Sequence, residues 1–495
     1  MRSFVVLSLA ALTGCAARLP DPPDASRVAM PAAFGGDPAP GAARDLATWW
    51  TAFDDPTLSS LVERALAANL DVRQAAARVR EARLQQRIVR GGQGPQLDAS
   101  AGATATRLSR NALPSALAGL ASGGAGAGGA GGGLGLPGET FETYQAGFDA
   151  SWELDLFGGD TRANEAAQAR ADAALWSRRD AEVVLAAEVA DTWLGYRSLQ
   201  RRIALADATL ATQRELLDLA EVRARHGLAA DTDALRQRQA IAQSSAQRDD
   251  LAAQAEADRH ALALLLGLAP TALAGALPPT DDRAAAAPDV PPGLPSELLE
   301  RRPDIRAADR ALTAAMADIG AAQADLYPRI SLTGALQLAS RSLSTLVDAD
   351  SRQGNVGAKL AFPLLGRDRL HATVDLRQAQ ADEAALAYRR TVLQALRDVE
   401  DALTRLAADR RRATDLRDAA QAAGDVDDSA GVAYRHGLTA AADMLAARQT
   451  RQAADDAVLQ AQAASAHDAV ALYKALGGGW DARRTLDDKD DTGGH

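Results

Sequence analysis

The chain is short of the residues that cross-link or stiffen a compact domain. One cysteine in 495 residues leaves no internal disulfide framework. Aromatic residues are only 4% and methionine occurs 4 times, while Ala, Arg, Gln, Asp and Leu dominate, a background suited to long helices. Positive charge is not in excess: 54 Lys and Arg against 65 Asp and Glu leave −11, which argues against a nucleic-acid partner, since such binders show a basic face. Beyond the N-terminal segment no run could cross a bilayer as a helix, because residues 116–136, apolar by count, are about half glycine. Catalytic signatures are missing too. The histidines at 226, 260, 371, 436, 467 and 495 show no HExxH spacing, and there is no GxSxG, P-loop or cysteine nucleophile. The reading is therefore of a protein that is not an enzyme and takes no cofactor or metal.

What is present is a sequence said twice. Residues 220–240 and 430–450 match at Arg225, His226, Gly227, Leu228 and Asp233 against Arg435, His436, Gly437, Leu438 and Asp443, an offset of 210. Ala261, Leu262, Leu266 and Gly267 answer Ala471, Leu472, Leu476 and Gly477 at the same offset. Earlier in each half the offset is 233, as in Asp71, Arg73 and Pro95 against Asp304, Arg306 and Pro328. A structural duplication with a 23-residue insertion explains both values, and the glycine-rich stretch before Gly147 is the place for it, as an exposed loop.

The period along the chain types the elements. Leu97, Ala99, Ala101, Ala103 and Ala105 alternate with Asp98, Ser100, Gly102 and Thr104, and Tyr144, Ala146, Phe148, Ala150 and Trp152 do the same in a second strand. The other half repeats the pattern at Ile330, Leu332, Leu336 and Leu338, then at Val356, Ala358, Leu360 and Phe362. Between strands and turn motifs lie two stretches without proline, 160–226 and 367–436. Each would make a helix of roughly 100 Å, against a globular mean of about 11 to 12 residues. Ala381, Ala385, Tyr388, Val392, Leu396, Val399, Leu403 and Leu406 follow coiled-coil spacing. The His-Gly-Leu turns end each rod on a left-handed glycine, and a shorter helix returns.

These readings set boundaries: residues 1–14 a signal peptide, 15–48 a tether with order starting near Trp49, and 49–267 a first repeat. Residues 268–295 are a linker, 296–477 the second repeat, and 478–495 a C-terminal tail whose acidic stretch after Thr485 is expected to be disordered. Strands are expected at about 95–109, 141–156, 328–340 and 353–364. Helices are expected at about 56–90, 160–226, 229–266, 296–326, 367–436 and 439–476. At the N-terminus, Arg2, the apolar run Phe4 to Leu12 and Leu12-Thr13-Gly14-Cys15 resemble a bacterial lipobox, which implies cleavage before Cys15 and its acylation. Ala16 after it resembles the sorting signal of outer-membrane lipoproteins.

The expected strands are long enough to cross an outer membrane, for which about 9 to 11 residues suffice. Four cannot close, and open edges are not tolerated in lipid. Two chains would give a filled eight-stranded barrel, whereas three would give twelve strands with a lumen. The fold class expected is mainly α with a small membrane β-barrel, completed as a trimer whose helices prolong the barrel as a tunnel.

Trp49-Trp50 with Phe53, Asp55 and Pro56, the run Leu294-Pro295-Ser296-Glu297-Leu298-Leu299-Glu300-Arg301-Arg302-Pro303-Asp304-Ile305-Arg306, and both Arg-His-Gly-Leu turns resemble the outer-membrane efflux lipoproteins of the TolC-like superfamily, NodT type. The resemblance covers nearly everything after Cys15. It implies a homotrimeric, lipid-anchored exit duct in the outer membrane, reaching into the periplasm and docked to a periplasmic adaptor and an inner-membrane RND pump. The alternatives are a duct for protein (type I) secretion and a non-channel coiled-coil scaffold.

Certain roles carry over by position. Asp443 matches an aspartate lining the narrowest ring of the periplasmic mouth, Tyr434 an aromatic that helps hold it shut, and Thr232 and Asp233 the partners of that aromatic. The tips Arg225, His226, Gly227 and Leu228, with Arg435, His436, Gly437 and Leu438, would dock the adaptor. A second acid expected three positions after Asp443 is Ala446, and a locking arginine position is Thr439, which points to a looser or differently latched gate. Capping is the alternative role for Asp443 and Asp233, since an acid in a first turn favours the helix dipole.

Overall fold

The computed structural model describes residues 23–35, 46–107, 140–227, 230–279 and 287–480. Cys15, the glycine-rich insertion, Leu228 and the acidic C-terminus lie outside them. The chain divides into two compact units, the first made of Arg83–Ala169 and Thr313–Ala381, the second of Pro23–Ala82, Arg170–Leu312 and the chain from Asp382 onward.

In chain order the main elements are α1 (Pro56–Ala68), α2 (Leu70–Gly91), β1 (Gln96–Arg107), β2 (Thr140–Leu154), α3 (Gly159–Arg225) and α4 (Asp231–Leu265). After a one-turn helix at Leu298–Arg301 come α5 (Pro303–Ala324), β3 (Arg329–Ser340), β4 (Arg352–Ala361), α6 (Arg367–Arg435) and α7 (Ala441–Ala475). The two rods are single helices of 67 and 69 residues. Two expected helices are broken: the one at 56–90 stops at Asn69, and the one at 296–326 stops before Pro303. Proline disfavours the α region for the residue before it, and Arg302 is accordingly extended, at ψ 120°.

The first unit holds one antiparallel sheet of order β1-β2-β3-β4. Register lines up one chemistry per face. Ala99 pairs Phe148, which pairs Leu336, while one rung on Leu97 pairs Ala150, Ala150 pairs Gly334 and Gly334 pairs Val356. The opposite face carries Asp98 against Asp149 and Gly147 against Gln337. Because side chains alternate with period two, a one-residue slip anywhere would mix the faces. The apolar face is bare, with Phe148, Leu336 and Leu360 exposed and Val356 at 94%. At the sheet's base the Asp155 carboxylate takes hydrogen bonds from the Thr161 amide (2.8 Å) and hydroxyl (2.7 Å), satisfying donors at the start of α3. Phe157 stacks on Tyr327 at 4.9 Å. β4 ends before Pro363, which cannot donate to a ladder.

The second unit carries the apolar core. Asp55 caps α1, its Oδ1 accepting from Thr57 N at 2.8 Å and Leu58 N at 3.1 Å, while its Oδ2 accepts from the buried Trp193 indole at 2.7 Å. Trp49 stacks on Tyr473 at 4.9 Å and meets Trp50 and Phe53 edge-on. The coiled-coil spacing read in α6 is realised as burial of Ala385, Val392, Val399 and Leu406, joined by Ala395 and Ala402.

Two ends outside the repeats are packed. Within the expected tether, Phe34 is buried and Gly35 N donates to Glu400 Oε1 at 2.8 Å, so ordered packing begins before Trp49. Within the expected tail, Gly479 N donates to Leu46 O at 2.9 Å and the Trp480 indole to Arg301 O at 3.0 Å, with Trp480 edge-on to Trp176. One or two apolar side chains suffice for each docking, too few to register as a periodic pattern.

Candidate functional site

The candidate mouth is built by the helix turns α3–α4 and α6–α7. At the second turn Gly437 has φ +72°, Leu438 N donates to Ala433 O at 2.8 Å and Gly437 N to Tyr434 O at 3.0 Å, the Schellman closure. Gly227 has φ +70° and its amide donates to Ala224 O at 3.0 Å, so both turns end as the glycines predicted. Arg225, His226 and Gly227 are exposed, as are Arg435, His436, Gly437 and Leu438, the last at 79%.

Tyr434 is buried. Its hydroxyl is bonded by a residue that the resemblance does not name. The Arg223 guanidinium on α3 donates through Nη1 to the Tyr434 hydroxyl and lies over its ring, 4.5 Å from the centroid. Asp233 instead faces Arg236 at 3.6 Å on its own helix, and Thr232 is exposed. Short-range i,i+3 geometry satisfies the Asp233 carboxylate locally, leaving the phenol to a cation. Leu216, Arg223, Asp233, Gln237, Tyr434 and Met444 border a cavity of about 30 Å³, room for a water or two.

Asp443 is exposed in the first turn of α7, where its Oδ2 accepts from the Thr439 hydroxyl at 2.9 Å. The position that departs from the expected locking arginine thus donates to the Asp443 carboxylate. Ala440, with no side-chain acceptor, is the N-cap, so the acid stabilises the helix start through the dipole as well.

Arg223 was legible only as an asymmetry. The first repeat reads Arg223-Ala224 where the second reads Ala433-Tyr434, so each tip carries one large side chain facing a small one in the other. The rods below are tied differently in each repeat. In the first, Gln237 Nε2 donates to Gln213 O at 2.9 Å and Gln213 Nε2 to Ser244 Oγ at 3.0 Å. In the second, the buried Asp427 meets Arg448 at 3.3 Å and Arg451 at 3.4 Å. A bidentate pair from Arg202 to Asp456, 2.6 and 3.0 Å, joins the two repeats. Among the described residues no group of His, Cys, Asp or Glu is placed to hold a metal ion, and no helix is long and apolar enough to cross a membrane.

The model of the outer membrane efflux protein family matches residues 61–268 and 294–478. The chain belongs to that family. Efflux-family relatives include the pyoverdine export outer membrane protein OpmQ of Pseudomonas aeruginosa, 32% identical over 98% of both chains. The outer membrane protein OprJ of the same species is 33% identical over 90% of this chain and 89% of its own. Among solved structures, the outer-membrane channel OprN superposes with a TM-score of 0.82 at 33% identity, covering 94% of this chain and 98% of that one. For an efflux protein the two matched segments fall on the two halves of the duplication, and the gap between them falls on the proline-rich stretch that was read as a linker.

Proposed function

We propose that the chain is one third of an outer-membrane exit duct of a tripartite efflux system, through which small molecules delivered by an inner-membrane RND pump and its periplasmic adaptor leave the cell. The carrying observation is the four-stranded sheet, apolar and bare on one face, polar on the other, with β1 and β4 left as open edges. In lipid such edges must pair, and three copies close twelve strands around a lumen. The efflux and export roles in the relatives' names favour this over protein secretion. Cys15 anchors the mature chain to the membrane in this reading, and the exposed turns meet the adaptor.

Three copies of Asp443 would line the mouth, and a carboxylate ring attracts cations and repels anions. Arg223 and Tyr434 latch the two tips within a chain. Planar-bilayer reversal potentials in a salt gradient test the reading: the wild type should be cation-selective and Asp443→Asn less so. A chain that runs as a monomer from outer-membrane fractions and gives no conductance overturns the duct, while an unchanged potential in Asp443→Asn moves the constriction elsewhere.

A further inference from the structure

Halfway along α3 and toward the C-terminal ends of α4 and α7, far from the tip turns, four elements bring ionisable groups to one level. The His467 ring on α7 meets the Asp191 carboxylate on α3 through Nδ1. Gly195, one turn further on α3, makes the room: a Cβ there would stand 3.3 Å from Asp258 Oδ2 on α4 and 3.7 Å from His467 Cε1. Glycine weakens a helix interior, and it is the only one in the body of this rod after Gly159. Next to His467, Asp468 faces Asp409 and Arg405 of α6, with Arg412 4.0 Å from Asp409. Asp468 Oδ2 is buried and meets no hydrogen-bond donor among the described residues.

We propose that His467, Asp191, Asp258, Asp468 and Asp409 form a proton-loaded brace that ties α3 and α4 of the first repeat to α6 and α7 of the second and slackens as pH rises. A stranded carboxylate oxygen beside a second carboxylate is costly, whereas a carboxylic acid there is neutral. Burial and then Asp409 push the Asp468 carboxyl up to about 6. The Asp191 hydrogen bond, with the nearby charges of Asp468 and Asp258, holds the His467 imidazolium above its usual value, against burial. Burial, aided by Asp191 and opposed by His467, raises Asp258.

All three raised groups act in the same direction. The Asp468 stabilisation is complete below the ordinary carboxylate value of about 3.9 and lost as pH rises through about 6. The His467 stabilisation is complete below about 6.5 and lost at higher pH as the imidazolium discharges. Mild acid therefore tightens the joint between repeats. The brace sits roughly 36 Å along α7 from Asp443, so it is separable from the mouth.

Hydrogen exchange of the full-length protein in detergent, read by mass spectrometry at about pH 5.5 and about pH 8 and corrected for intrinsic exchange, tests this. Peptides carrying Asp191, Asp409 and His467 should open on the order of tenfold more often at the higher pH, with the peptide carrying Tyr434 unaffected. Asp468→Asn, neutral throughout, should reduce the dependence to the part that His467 carries, and Asp409→Asn should reduce it from the other partner. His467→Gln should loosen the same peptides in acid. A wild type without pH dependence there, or one that both asparagine variants retain in full, overturns the brace and leaves the duct reading standing.

Discussion

The two repeats make the same joint with different chemistry. At the root of the first, Asn69 ends α1, its Oδ1 accepting from Asp71 N at 2.8 Å and Val72 N at 3.2 Å to cap α2, while its Nδ2 donates to Leu265 O at 2.9 Å. The corresponding residue of the second repeat is Arg302, whose Nη1 donates to Ala475 O at 2.9 Å and whose Nε and Nη2 grip Asp304 at 3.0 and 2.7 Å. In both, a left-handed glycine beside that carbonyl lies against the incoming chain: a Cβ on Gly267 would meet Ala68 O at 3.0 Å, and one on Gly477 would meet Arg301 O at 3.0 Å. What the duplication conserves is a backbone junction with a donor aimed at a helix's orphan carbonyls. A neutral amide and a cation serve equally, but the cation draws in Asp398 at 3.5 Å.

The contrast can be broken in order of size. The sheets should show no contrast between repeats: Phe148→Arg and Leu360→Arg should each cost about 2 to 4 kcal/mol near midplane, while polar changes at Ser151 or Thr333 are tolerated. Denaturant titration of the assembled protein reads this, and equal sensitivity on the two faces would show that the apolar face does not meet lipid.

At the root the repeats should differ. Arg302→Ala, leaving Asp304 without its cation and Asp398 with Arg397 alone, should cost about 3 kcal/mol, and Asn69→Ala about 1 kcal/mol, both by thermal or denaturant midpoint. The pH response separates them further. Burial, aided by Asp304, already raises Asp180, while Arg302 lowers it. Without the guanidinium the carboxyl rises more, so Arg302→Ala should lose additional stability as pH climbs above the carboxylate range, and Asn69→Ala should not.

At the tips the contrast is between the two halves of one latch. Tyr434→Phe keeps the ring under Arg223 and loses one hydrogen bond, about 1 kcal/mol, whereas Arg223→Met loses both the bond and the cation–π contact, about 1 to 2 kcal/mol. Both should raise the open fraction in single-channel records, Arg223→Met more. Equal records from both variants would leave the stacking without a role.

The smallest effect tests symmetry again. Gly227→Ala and Gly437→Ala meet no atom within 4 Å among the described residues, so the left-handed backbone is what is strained, and each should cost about 1 kcal/mol by thermal midpoint. Unequal costs would mean that one turn is held from outside the chain.

The sequence by itself determined the element types, the duplication, the two-faced strands and the left-handed turns. Those follow from rules acting over a few residues: side-chain period, the missing Cβ of glycine, the missing N–H of proline. It also placed Tyr434 and Asp443 near one another, because the turn brings α6 back as α7. Only the tertiary structure decided which distant side chains meet. Arg223 and Tyr434 are 211 positions apart, and their pairing depends on how two long helices are rotated about their axes. No local pattern records that rotation, so Arg223 did not stand out as the partner of Tyr434. Phe34 and Trp480 dock for the same reason, as single side chains filling space made by residues hundreds of positions away, and the pairing of β2 with β3 likewise joins the repeats through a register that neither repeat contains alone.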